Sequence, residues 1–115
     1  MISMFAIPNC DTVKKARNFL ENNKVDYEFI NLKKSPPTQA QIKAWRDYSG
    51  ELPINKNGIT YRKYKDHYEA LSMSEKIDFI IANTSLIKRP ILEHNGKTIA
   101  VGFNEEQYKE LITNS

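Results

Sequence analysis

Apolar residues fill positions 2–7 with only Ser3 interrupting them. The run is short enough for a strand and continuous enough for one covered on both faces of a sheet with parallel neighbours. The period then changes: Val13, Ala16, Phe19 and Leu20 recur at helical spacing, Lys14, Lys15, Arg17 and Glu21 take the opposite face, and Asn22-Asn23 marks the end. Across 26–32, Tyr27, Phe29 and Asn31 alternate with Glu28, Ile30 and Leu32, which predicts a second strand. A connection through one helix implies a parallel pair with a right-handed crossover.

Ser35-Pro36-Pro37 opens a different region. Thr38-Gln39-Ala40-Gln41 is a capping-box pattern, Ile42 and Trp45 supply an apolar stripe and Gly50 is a C-cap, so a helix is predicted over 38–49. Residues 51–70 show no clean period; Leu52, Pro53 and Ile54 suggest a short turn. Ser72-Met73-Ser74-Glu75 offers a second capping box, and Ile77, Phe79, Ile80 and Ile81 predict a helix over 73–82. No strand pattern stands out in this middle segment. Residues 90–94 and 97–101 then flank Asn95-Gly96, a strong hairpin signal. Asn104 caps a last helix, with Gln107 three residues on, Glu105 and Glu106 in its first turn, and Tyr108, Leu111 and Ile112 facing inward. The order βαβ, helical insertion, ββα is an α/β, thioredoxin-like layout: a single domain over 1–115 with a helical insertion at about 35–86.

A chain of 115 residues is long enough to bury one core without disulfide staples. It has no secretory leader pattern at its start and no apolar run near the ~20 residues of a bilayer crossing, so a soluble, cytoplasmic monomer is expected. The formal net charge of +3 is a weak nucleic-acid signal, because acidic residues are interleaved along most of the chain. The exception is 56–65, where Lys56, Arg62, Lys63 and Lys65 stand beside Tyr61 and Tyr64 with no acid. Such a mixture can bind single strands. A solvated face, or an anion site serving Cys10, is the preferred reading, with no direct nucleic-acid partner. His67 and His94 are scattered among polar residues without metal-ligand spacing, and the glycines at 58, 96 and 102 form no nucleotide-binding motif.

Cys10 is the only cysteine. It closes no disulfide within the chain, and it sits in Asn9-Cys10-Asp11-Thr12, where the first strand gives way to the first helix. A helix start offers unpaired N–H groups and partial positive charge, which favour thiolate over thiol. A cysteine is also often a small buried hydrophobe. The polar residues around Cys10 argue against an apolar niche.

Three collinear segments, Asn9-Cys10-Asp11-Thr12-Val13-Lys14-Lys15-Ala16-Arg17, Ile87-Lys88-Arg89-Pro90-Ile91-Leu92 and Val101-Gly102-Phe103, resemble the Spx/ArsC superfamily, nearest its YffB-like branch of arsenate-reductase-related proteins. The likeness spans nearly the full chain and implies a thioredoxin fold with a helical insertion. The family's arsenate reductases attack arsenate with one cysteine and resolve the adduct with glutathione and glutaredoxin. By this resemblance Cys10 is the nucleophile, Arg89 steadies thiolate and oxyanion, and Pro90 is the cis proline of thioredoxin-like folds; X-Pro bonds are where cis is cheap. Taken locally, Arg89-Pro90 is equally a strand start with a solvated arginine.

Departures from the family pattern bear on function. Ala6 stands where arsenate reducers carry histidine, Lys14 where they carry arginine, and further family arginines fall near Gly102 and around Lys56. Lysine is a point donor and lacks the guanidinium fork, so Lys14, Lys56 and Arg62 make a poor substitute cage and efficient arsenate reduction is not expected. Spx-type regulators bind the RNA polymerase α-subunit, and many sense oxidants through a second cysteine; that position here is Val13. The favoured function is a monothiol, thiol-dependent oxidoreductase with no tightly bound cofactor, using glutathione or a similar small thiol as co-substrate and glutaredoxin as a candidate partner. An Spx-like regulator without a dithiol switch is the alternative. The expected site combines Cys10 and Arg89 with Asn9, Asp11, Thr12, Lys14, Lys56, Arg62 and Pro90. In it the Thr12 hydroxyl donates to sulfur, N–H groups after Cys10 cradle an anion, and Asp11 opposes the thiolate unless it points away.

Overall fold

Met4, Phe5 and Ala6 are buried because β1 runs inside a four-stranded sheet. The computed structural model describes residues 1–8 and 10–113. In chain order these form β1 (Ile2–Ala6), α1 (Asp11–Asn22), β2 (Tyr27–Asn31), α2 (Gln39–Ser49), α3 (Ile59–Glu69), α4 (Met73–Ala82), a 3-10 turn at Thr84–Leu86, β3 (Ile91–His94), β4 (Lys97–Val101) and α5 (Glu105–Thr113). They belong to two compact units, Met1–Asn31 with Arg89–Ser115, and Leu32–Lys88.

The first unit holds the sheet, in the order β2-β1-β3-β4. β1 and β2 are parallel from Ile2↔Tyr27 to Ala6↔Asn31, joined through α1 as the patterning predicts. β3 lies antiparallel on the other side of β1, from Phe5↔Ile91 to Ile2↔His94. The β3–β4 hairpin turns through Asn95 (φ 53) and Gly96 (φ 82), the two left-handed residues that a tight turn matching strand twist requires. Strand ends retreat slightly from the expected limits: β1 stops at Ala6, β2 spans Tyr27–Asn31, and β3 begins at Ile91 because Pro90 has no N–H for the ladder.

α1 buries Val13, Ala16 and Leu20 against Met4, Ala6, Leu92, Ala100 and Tyr108. Its polar face is anchored too. The Arg17 guanidinium lies 4.3 Å from the centre of the Phe29 ring, and its Nε donates to the Tyr27 hydroxyl at 2.9 Å. Asn104 accepts from the Gln107 N–H at 3.0 Å at the start of α5, whose Tyr108 ring meets Phe103 and Phe19 edge-on at 4.8 and 5.9 Å.

Both predicted capping boxes open the helices of the second unit. The Thr38 hydroxyl accepts from Gln41 N–H at 3.1 Å while Gln41 accepts from Thr38 N–H, and Ser72 and Glu75 do the same for α4. Ile42 and Trp45 of α2 are fully buried, and Gly50 ends that helix at φ 83. The unclassified stretch 51–70 contains α3. Its inward face is aromatic: Tyr61 and Tyr68 are buried and Tyr64 meets the Phe79 ring edge-on at 5.4 Å. Leu52–Ile54 is more than a turn, since Ile54 bridges Ile87 antiparallel and the Pro53 carbonyl accepts from Lys88 N–H at 2.8 Å.

The Tyr108 hydroxyl is buried without a hydrogen-bond partner among the described residues, and burial pushes its ionisation up; burial does the same at Tyr68, to about 12. Above the ordinary phenol value of 10 the unfolded chain releases these protons while the native state keeps them. The unfolded state then binds fewer protons, and stability falls as pH rises past about 10. Tyr108→Phe is expected to leave neutral-pH stability unchanged or raise it by up to about 1 kcal/mol, since it removes an unpaired buried hydroxyl, and to flatten the alkaline loss. Urea unfolding at pH 7 and at alkaline pH checks this; a clear loss at pH 7 would show that the hydroxyl has a structural partner.

Candidate functional site

Four residues after β1 ends, Cys10 becomes the N-cap of α1. Its backbone is extended (φ −109, ψ 130) and its carbonyl accepts the Lys14 N–H at 2.9 Å, as a helix start requires. The thiol makes no capping hydrogen bond. Its surroundings correct one expectation: half-buried Cys10 packs against the Met4, Val13 and Leu92 cluster, so one flank is apolar despite its polar sequence neighbours. Asp11, Thr12 and Lys14 are exposed on the first turn, and Asn9 lies outside the described residues.

The antiparallel β1–β3 register sets Ile91 against Phe5, so Arg89-Pro90 enters the sheet at the end where β1 leaves it toward Cys10. The Arg89-Pro90 bond is cis, Pro90 is buried and Arg89 is half-buried. The Pro90 carbonyl accepts from the Gly102 N–H at 2.8 Å. Gly102 is buried at φ 82, a conformation L side chains rarely adopt, which explains physically why no arginine stands at this point. One end of the sheet thus gathers the exit of β1, the entry of β3 and the exit of β4. The sequence reading places Gly102 in a family segment and near a missing arginine, without a backbone role. Its backbone role follows from a glycine directly after a predicted strand, a signal for a left-handed turn.

Lys56 and Arg62 belong to the Leu32–Lys88 unit, and Cys10, Arg89 and Pro90 to the other. Both are exposed, and Arg62 Nη2 donates to the Asn57 carbonyl at 3.2 Å. His67 and His94 are exposed as well, with the His67 ring 5.3 Å from that of Phe79. Among the described residues no cluster of His, Cys, Asp and Glu could hold a metal ion, and no helix is long and apolar enough to cross a membrane.

The model of the ArsC family matches residues 5–111. The chain belongs to the ArsC family. A solved YffB protein is 32% identical to it with a TM-score of 0.83, over 96% of this chain and 97% of that one. The crystal structure of a possible arsenate reductase from Streptococcus mutans is also 32% identical, with a TM-score of 0.80 and coverage of 97% and 98%. The global transcriptional regulator Spx of Streptococcus pyogenes is 30% identical, over 98% of this chain and 86% of the regulator. The four-stranded sheet and helices of this ArsC-family chain are a thioredoxin-like fold.

Arg89 stands at the sheet end that β1 leaves toward Cys10, and a guanidinium close to a thiolate stabilises it. Arg89→Ala is expected to slow iodoacetamide alkylation of Cys10 at neutral pH by about tenfold while changing stability by about 0.5 kcal/mol or less, and Arg89→Lys to fall between. Alkylation rates beside thermal melts check this. An unchanged rate with a large drop in Tm would assign Arg89 to the scaffold.

Proposed function

We propose that this chain is a monothiol reductase in which Cys10 attacks an electrophilic substrate and an external small thiol, glutathione or a relative of it, completes the reaction. The observation that carries this is the placement of the chain's only cysteine at the start of α1, half-buried, at the sheet end where Arg89-Pro90 enters. In the first step the Cys10 thiolate bonds to the electrophilic atom and a leaving group departs with the displaced electron pair. An external thiolate then attacks the Cys10 sulfur, releasing substrate reduced by two electrons and leaving a mixed disulfide. A second external thiol, or glutaredoxin, restores Cys10, so two thiols are oxidised to one disulfide per turnover. Arg89, Lys14 and the first-turn N–H groups of α1 hold the anionic part of the substrate. Thr12 and Asp11 border the entrance.

Arsenate is a poor substrate in this reading. Ala6, Lys14 and Gly102 supply neither a histidine nor guanidinium forks, and a lysine ammonium does not reproduce the bidentate grip of arginine on an oxyanion. Similarity to Spx over 98% of this chain favours a second reading, a regulator whose partner is the RNA polymerase α-subunit.

Intact-mass spectrometry after incubation with oxidised glutathione distinguishes the two. One glutathione adduct is expected, lost in Cys10→Ser and removed by glutaredoxin, with arsenate turnover absent or feeble. An inert Cys10 together with direct binding to the polymerase α-subunit would overturn the reductase, and saturable, rapid arsenate reduction would overturn the assignment of arsenate as a poor substrate.

A further inference from the structure

Positions 52–65 and 79–88 hold no acidic side chain although the chain carries 14 of them. In the Leu32–Lys88 unit these two segments meet, because α3 packs against the end of α4 and the 3-10 turn at Thr84–Leu86. Between them lies an open groove of about 440 Å³, within the range of about 300–1,000 Å³ usual for small-ligand sites. Its lining is amphipathic. Lys63 supplies one cation, Thr60, Thr84 and Ser85 supply hydroxyls, and the Tyr64 ring and Ile59, 84% exposed, supply apolar surface. None of the three hydroxyls has a hydrogen-bond partner among the described residues, and Lys63 makes no ion pair there. Asn83, also on the wall, is already committed, its side-chain amide donating to the Phe79 carbonyl at 3.0 Å. Tyr64 is fixed edge-on against Phe79, with the Lys63 ammonium 5.3 Å from its ring centre.

We propose that this groove binds a small phosphomonoester, its phosphoryl oxygens held by Lys63 and the hydroxyls of Thr60, Thr84 and Ser85, and its organic body lying on Tyr64 and Ile59. A cation with hydroxyl donors and no competing carboxylate selects an anion rich in acceptor oxygens. Arg62 and Lys65 on α3 extend the positive field that attracts it. Exposed apolar surface beside the cation favours an ester over the inorganic ion. The site is independent of the thiol chemistry assigned to Cys10.

The test is a titration of ¹⁵N-labelled protein with phenyl phosphate at constant ionic strength. Saturable shifts are expected at the amides of Thr60, Lys63, Thr84 and Ser85. Lys63→Gln, with its spectrum otherwise unchanged, should weaken binding roughly tenfold. Cys10→Ser should leave binding intact, and Lys63→Gln should leave Cys10 alkylation intact, so failure of this proposal is distinct from failure of the reductase. Shifts that do not saturate, that Lys63→Gln leaves unchanged, that centre on residues 11–14, or that vanish in Cys10→Ser would overturn the assignment.

Discussion

The antiparallel pairing of β3 with β1 is the constraint on which the candidate site depends. β1 is covered on both edges, parallel to β2 and antiparallel to β3, so its direction fixes where the chain emerges toward Cys10 and where it returns through Arg89-Pro90. Reverse the sense of that one pairing and Arg89 enters at the opposite end of the sheet. Burial enforces the register. Met4, Ala6 and Leu92 lie in the same apolar cluster as Val13, Ala16 and Leu20 of α1, and a slip by one residue would turn alternate side chains of a strand to the other face. The hydrogen bond from Gly102 to the Pro90 carbonyl extends the constraint to β4.

Local patterning made much of this legible. The capping boxes at Thr38 and Ser72, the Asn95-Gly96 turn and the Asn104 cap are short-range chemistry, and each sits where the residues indicate. α3 was not legible, because its buried face is written in Tyr61, Tyr64 and Tyr68, at helical spacing but in residues that also serve strands and surfaces. The bridge from Ile54 to Ile87 was hidden for another reason: single long-range pairs leave no period. Proximity of Arg89 to the Cys10 end of the sheet is equally non-local, and only the family resemblance raised it before the strand pairing was known. The apolar flank of Cys10 was missed because sequence neighbours are not spatial neighbours.

The single cysteine limits the thiol chemistry open to this chain. With Val13 one helical turn from Cys10, no second thiol in the chain can resolve an adduct, so any turnover depends on an external thiol. Ala6 is fully buried and Gly102 occupies a left-handed conformation, so neither position readily takes the larger side chains of arsenate reducers. The departures from the family pattern are thus built into the packing and the backbone as well as the side-chain choice. They leave a half-buried cysteine without the histidine and arginine of the family pattern at these positions.

A nitroxide attached to Cys10 tests the central geometry directly, because the chain offers no other thiol to label. Paramagnetic broadening of backbone amides should grade along the β3–β4 hairpin, strong at Arg89, Ile91 and Gly102 and weak at the Asn95-Gly96 turn. The reverse gradient, with the turn broadened more than Arg89 and Gly102, would contradict the placement of Cys10 and Arg89-Pro90 at one end of the sheet.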